Sequence, residues 1–125
     1  MPGKWHWLMA LAVIGCGERK APATPMFNPG PVPADLAAGE AMFNQNCATC
    51  HGNLAIGTDL GPPLVHIIYE PGHHSDEAFR RAVLLGVVPH HWSFGPMPAQ
   101  SGVTPAQVQD IIRYVRWLQR QAGIT

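Results

Sequence analysis

The chain has 125 residues, with 8 basic against 8 acidic side chains, and only 13% of its positions are charged. That length favours one domain, and neutral charge with scarce lysine excludes a nucleic-acid binder held by phosphate contacts. Its 13 glycines, 13 prolines and 3 cysteines leave a small core that needs a cofactor, a metal or a partner, and too few thiols for a disulfide scaffold.

Residues 1–15 read as an export signal. Lys4 supplies the positive start, and Leu8, Met9, Ala10, Leu11, Ala12, Val13 and Ile14 form a short apolar run. The run is too short to span a bilayer. Val13-Ile14-Gly15-Cys16 resembles a bacterial lipoprotein box, which implies that Cys16 is acylated and anchors the protein to a membrane. The alternative is an ordinary signal cut later, with Cys16 incidental. Residues 16–34 follow as a tether, with Pro22, Pro25, Pro29, Pro31 and Pro33 favouring extended polyproline-like structure. The competing reading has Met26-Phe27 packed on the domain.

Residues 35–125 are the expected folded domain. Asp35 is a candidate N-cap for a helix through Leu36, Gly39, Met42 and Phe43, with Met42 in the core. Ser75 caps a second helix, whose first turn holds Asp76 and Glu77, where they favour the helix dipole. Phe79, Ala82 and Val83 share its face, and Gly86 is its stop. The last helix has Thr104 as N-cap, Pro105 at its first position and Gln107 two later, a capping box. Val103 and Val108 stand at staple positions. Val108, Ile111, Ile112, Val115 and Leu118 form one apolar stripe with Tyr114 at its edge, and Gly123 is the stop. Arg113, Arg116 and Arg120 fall on the polar side and read as a solvated face. Trp117 falls opposite the stripe, either as a partner or membrane contact or as a half-buried residue. No strand alternation is evident, so the expected class is all-α.

Cys47-Ala48-Thr49-Cys50-His51 is C-x-x-C-H, the attachment signature of a c-type haem. Two thiols three positions apart lie on one side of a helical turn and reach two vinyl groups on one porphyrin edge. His51 then meets the iron from the proximal side. A thioredoxin-like redox pair needs a βαβ context that is missing, and a zinc site wants a second ligand pair at zinc-finger spacing. The sixth iron position has several candidates: Met97, the histidines His66, His73, His74, His90 and His91, or no protein ligand. Pro96 and Pro98 flank Met97 and fix its backbone, which favours Met97 over core packing alone. A thioether raises the reduction potential relative to a second histidine.

Four segments occur in order: Gly39-x-x-Met42-Phe43-x-x-x-Cys47-x-x-Cys50-His51-Gly52, Gly61-Pro62-Pro63-Leu64, Met97-Pro98, and Asp110-Ile111-Ile112-Arg113-Tyr114-Val115. Together they resemble a class I cytochrome c of the bacterial monohaem type, over residues 35 to 122. The resemblance implies N- and C-terminal helices crossing around one covalent haem, with Gly39 against Tyr114. It implies that the Pro62 carbonyl accepts the Nδ1–H of His51, leaving Nε2 for the iron. Residues 65–74 and 90–94 have no counterpart that can be placed. Trp92 and Tyr69 are open between bonding a haem propionate and ordinary packing.

The function this implies is electron transfer, with no substrate turned over. The expected protein is a membrane-tethered carrier on the periplasmic side of the envelope, in a respiratory or photosynthetic chain. Its partners would be redox proteins: an oxidase, a quinol-oxidising complex or a dehydrogenase. The second reading is a haem c subunit of a larger membrane oxidoreductase. A gas sensor or peroxidase-like enzyme needs an open iron position, against which the Pro-Met-Pro setting argues. From residue 35 onward seven acidic residues face five arginines and no lysine. Docking should therefore rest on apolar contact and the tether rather than on cationic steering.

Overall fold

The computed structural model describes residues 27–125. The expected signal at 1–15, Cys16 and most of the tether lie outside the described residues. Four α-helices run in order: α1 (Ala37–Asn46), α2 (Ala48–His51), α3 (Asp76–Leu85) and α4 (Pro105–Gln121). Short 3-10 turns at Ala34–Leu36, Asn53–Ala55 and Ile67–Tyr69 join the loops to them. Among the described residues the only β-type pairing is an isolated bridge between Val87 and Met97. The class is all-α, as expected, and no described helix is long and apolar enough to cross a membrane.

The crossing of α1 and α4 organises the fold. Gly39 and Phe43, one turn apart, are the buried residues of α1. Phe43 meets Tyr114 of α4 with ring centroids 5.7 Å apart. A Cβ on Gly39 would overlap the Asp110 carbonyl oxygen and sit 3.0 Å from Tyr114 Cβ. Only a residue without a side chain lets the two backbones approach this closely. Burial pushes the Tyr114 hydroxyl up to about 12, with the Glu40 charge adding to the shift.

The caps of the later helices form as expected. Ser75 Oγ accepts from the Ala78 N–H at 3.3 Å and opens α3. At α4, Thr104 Oγ1 accepts from the Gln107 N–H at 3.3 Å, and Gln107 Oε1 accepts from the Thr104 N–H at 2.9 Å. Val103 and Val108 are both buried, as a staple requires. Met42 is half-buried and packs against the core, as do Phe27 and Val32 ahead of the domain.

Three expectations change. Asp35 does not cap α1: it lies inside the 3-10 turn, and the N-cap position is Leu36 with no side-chain cap. The turn is closed by the Leu36 N–H donating to the Pro33 carbonyl at 2.9 Å, which shifts the helix start beyond reach of Asp35. The Asp35 carboxylate instead pairs with Arg113 at 2.9 Å. Arg116 is not on a solvated face but buried, whereas Arg113 and Arg120 are exposed or partly so. Trp117 is buried, its ring stacked 6.1 Å from Tyr114, and offers no free contact surface. The cause of the Arg116 burial is residues 69–76, which fold across that side of α4 and supply acceptors for the guanidinium.

Candidate functional site

Between α1, α3, α4 and the loops that join them lies an open-sided cavity of about 490 Å³. That size falls in the range of cofactor sites. Its walls include Phe43, Cys47, His51, Pro62, Leu64, Phe79 and Met97, together with Ile111, Ile112 and Val115 from the stripe of α4. The apolar face of α4 therefore has two tasks: it packs on α1 and it floors the cavity.

Local backbone geometry positions the C-x-x-C-H. α1 ends at Asn46, and the Cys47 N–H still donates to the Phe43 carbonyl at 2.8 Å. One further turn follows, in which the His51 N–H donates to the Cys47 carbonyl at 2.9 Å. Cys47 and Cys50 form no disulfide. Cys47 faces the cavity; Cys50 lies on the adjacent exposed side, its carbonyl accepting from Thr58 Oγ1 at 2.6 Å. Burial, and then the neighbouring Cys50, pushes the Cys47 thiol up to about 11, so it stays protonated at neutral pH.

His51 is buried, and its Nδ1 donates to the Pro62 carbonyl at 2.8 Å. That bond selects the tautomer with the lone pair on Nε2. Burial lowers the proton affinity of His51, opposed in part by the Pro62 bond. The neutral ring is the form that binds a metal. The loop after Gly52 carries this carbonyl into place: the Gly57 N–H donates to the His51 carbonyl at 2.6 Å, and the Leu64 N–H to the Ala55 carbonyl at 2.8 Å.

Met97 arrives from the other side. Gly86, at φ +80°, ends α3, and a Cβ there would lie 2.6 Å from the Met97 carbonyl oxygen. Val87 and Met97 then exchange N–H···O bonds of 2.9 and 3.0 Å. The loop between them is closed into a hairpin-like strap, and Met97 becomes a wall of the cavity. The cavity thus brings together Cys47, His51, Pro62 and Met97; Cys50 stands beside it. These residues suit a haem: an imidazole with a directed lone pair, a thioether, a thiol on the rim and apolar walls from α1, α3 and α4, with a polar side formed by histidines.

Residues 65–74 and 90–94, unplaced from sequence, contribute the remaining wall through Tyr69, His73, His74, His90, His91, Trp92 and Phe94. Tyr69 and Trp92 bond each other, the indole N–H donating to the Tyr69 hydroxyl at 3.1 Å. Trp92 also meets His66 edge-on at 5.1 Å between ring centroids. His73, His74, His90 and His91 line the same side. Beneath them Arg116 donates to Asp76 Oδ1 at 2.8 Å, the Tyr69 carbonyl at 2.8 Å, Gln119 Oε1 at 2.7 Å and the His74 carbonyl at 2.5 Å. Its guanidinium carbon lies 4.5 Å from the centre of the Phe79 ring. Gln119 Nε2 donates to the Leu64 and Tyr69 carbonyls at 2.8 and 3.0 Å. Sequence reasoning missed this bracket. The available signal was two long polar residues, Arg116 and Gln119, flanking Trp117 in a helix otherwise rich in apolar positions.

The family model described as cytochrome c matches residues 36–119. No curated protein sequence matches the chain. Among solved structures, the c-type cytochrome XoxG from Methylobacterium extorquens AM1 is 22% identical, with a TM-score of 0.53 over 73% of this chain and 53% of that one. Cytochrome CL from the marine methylotroph Methylophaga aminisulfidivorans is 23% identical, with a TM-score of 0.48 over 73% of this chain and 66% of that one. The chain therefore spans about half the length of XoxG, and the likeness to it is one of fold.

Proposed function

Because the chain belongs to the cytochrome c family, we propose that it is a membrane-tethered electron carrier on the periplasmic side of the envelope. In this reading His51 and Met97 are the axial ligands of its one haem, and Cys16 carries the lipid. Its place is a respiratory or photosynthetic chain, between redox proteins. As in the family at large, haem c is covalently attached, here through Cys47 and Cys50, and supplies a one-electron iron couple.

The observation that carries this reading is that His51 and Met97 line one cavity, each with its backbone pinned. The Pro62 carbonyl holds the His51 ring in one tautomer, so the ligand does not reorient during turnover. The Val87–Met97 pairing fixes the backbone that carries the thioether. With His51 and Met97 both holding the iron, the redox change would need little rearrangement and no substrate. Phe43, Leu64, Phe79, Ile111, Ile112 and Val115 would give the haem an apolar bed on the helix side.

The test is a membrane preparation from cells making the full chain. Wild type is expected in the membrane fraction, with a red-region methionine–iron charge-transfer band in the ferric spectrum. Met97→Ala should lose that band, gain carbon monoxide binding in the ferrous form, and lower the midpoint by on the order of 0.1 V, within the ~0.8 V that axial ligands span. An unchanged spectrum sinks the Met97 assignment. Cys16→Ser should move the haem stain to the soluble fraction; retention in the membrane sinks the lipid anchor alone.

A further inference from the structure

Four histidines line the cavity and are not among the haem ligands proposed above. His73 and His74 end the segment that crosses α4, and His90 and His91 lie in the strap between Val87 and Met97. We propose that His73, His74 and His91 form a second metal site, for a divalent transition cation of the zinc class, on the rim of the haem cavity.

The three side chains offer ligand nitrogens that all lie within 4.8 Å of one another. Their ring centroids are 4.7 Å (His73–His74), 5.2 Å (His73–His91) and 5.2 Å (His74–His91) apart. They come from two separate loops, so the fold, rather than adjacency in the chain, assembles them. Among the described residues no carboxylate pairs with any of the three rings. Protonated imidazoles gathered this way repel one another, whereas neutral ones converge their lone pairs on a cation.

His74 has the geometry of a prepared ligand. Its Nδ1 donates to the Ile68 carbonyl at 2.7 Å, which leaves the lone pair on Nε2. A backbone carbonyl on the far nitrogen is the arrangement that orients metal-binding histidines. The segment beneath it is anchored. The His73 and His74 N–H groups donate to the Glu70 carbonyl at 3.1 and 2.8 Å, and Arg116 holds the His74 carbonyl. His73 and His91 are exposed and have room to turn. Zinc–nitrogen bonds of ~2.0–2.1 Å in a tetrahedron bring nitrogens to about 3.3 Å, so the rings need to close by roughly 1–1.5 Å. Three imidazoles select zinc, copper or nickel over calcium or magnesium. Water completes the coordination. His90, 4.1 Å from His91 and 5.9 Å from His74 between ring centroids, stands beside the triad and is not one of its ligands.

The site uses neither His51 nor Met97, so it stands apart from the axial assignment. The test takes the full holoprotein, strips loose metal with EDTA, dialyses it against zinc chloride at pH 7.5, and counts zinc per haem. One tightly held zinc is expected in the wild type, removable by EDTA while the covalent haem remains. His91→Ala, at an exposed position, and His74→Ala should each weaken zinc binding at least tenfold while the methionine–iron band of the ferric haem remains. His66→Ala should bind as the wild type does. Absence of stoichiometric zinc in the wild type overturns the site, as does full affinity in His91→Ala. A change of axial ligation in His91→Ala also overturns it, because that ring would then belong to the iron.

Discussion

Replacing Gly39 with valine is expected to cost more than about 3 kcal/mol, a large share of the stability of a domain this size. The obstacle is backbone, not a side chain that can turn aside. The first atom added at Gly39 overlaps the Asp110 carbonyl oxygen and lies 2.8 Å from its carbon. Relief requires α1 and α4 to separate, which opens the contact between Phe43 and Tyr114 and widens the floor of the haem cavity. Intrinsic helix propensity points the other way, favouring alanine over glycine by about 1 kcal/mol. A loss of stability even in Gly39→Ala therefore reports the crossing itself. Gly102→Ala is the control, since a Cβ there meets nothing within 4 Å. Guanidinium unfolding of the holoprotein, followed by haem absorbance, measures all three. A Gly39→Val variant within 1 kcal/mol of wild type rules out the close crossing.

Arg116→Leu is expected to cost about 3 kcal/mol, through orphaned acceptors rather than a lost surface charge. Asp76 is half-exposed and regains water. The Tyr69 carbonyl keeps its bond from Gln119. Gln119 Oε1 loses its Arg116 donor in a buried setting, and the His74 carbonyl loses its donor in a part-buried one. Arg116→Lys should recover less than half of the loss, because one compact ammonium cannot serve all four acceptors or lie flat over Phe79. Thermal unfolding measures the cost. Limited proteolysis adds a local readout, with new cleavage expected within residues 66–76 before the domain melts. A melting temperature equal to wild type in Arg116→Leu refutes the bracket.

How much was legible from sequence depends on how far apart the interacting residues are. The caps of α3 and α4 were readable because Ser75 with Ala78, and Thr104 with Gln107, sit within one turn. The His51–Pro62 bond was readable only through the family resemblance, since spacing alone does not say which carbonyl a ring nitrogen finds. Asp35 misled because a 3-10 turn closed on Pro33 moved the helix start, a shift that composition does not encode. Arg116 and Trp117 misled for a different reason. A helical wheel divides α4 into an apolar and a polar side, but residues 69–76 cover the polar side.

By itself the sequence determined the C-x-x-C-H and its haem, the four ordered segments of a cytochrome c domain, the helical class and the limits of the last helix. Each is written in spacings of a few residues, where bond geometry and one turn of helix leave little freedom. Tertiary structure alone decided that Arg116 and Gln119 bracket the segment at 64–74, that Tyr69 and Trp92 satisfy each other, and that histidines from two loops converge on one rim. Those contacts join residues tens of positions apart. Only the folded chain, with buried donors seeking the nearest unpaired carbonyls, settles which of them meet.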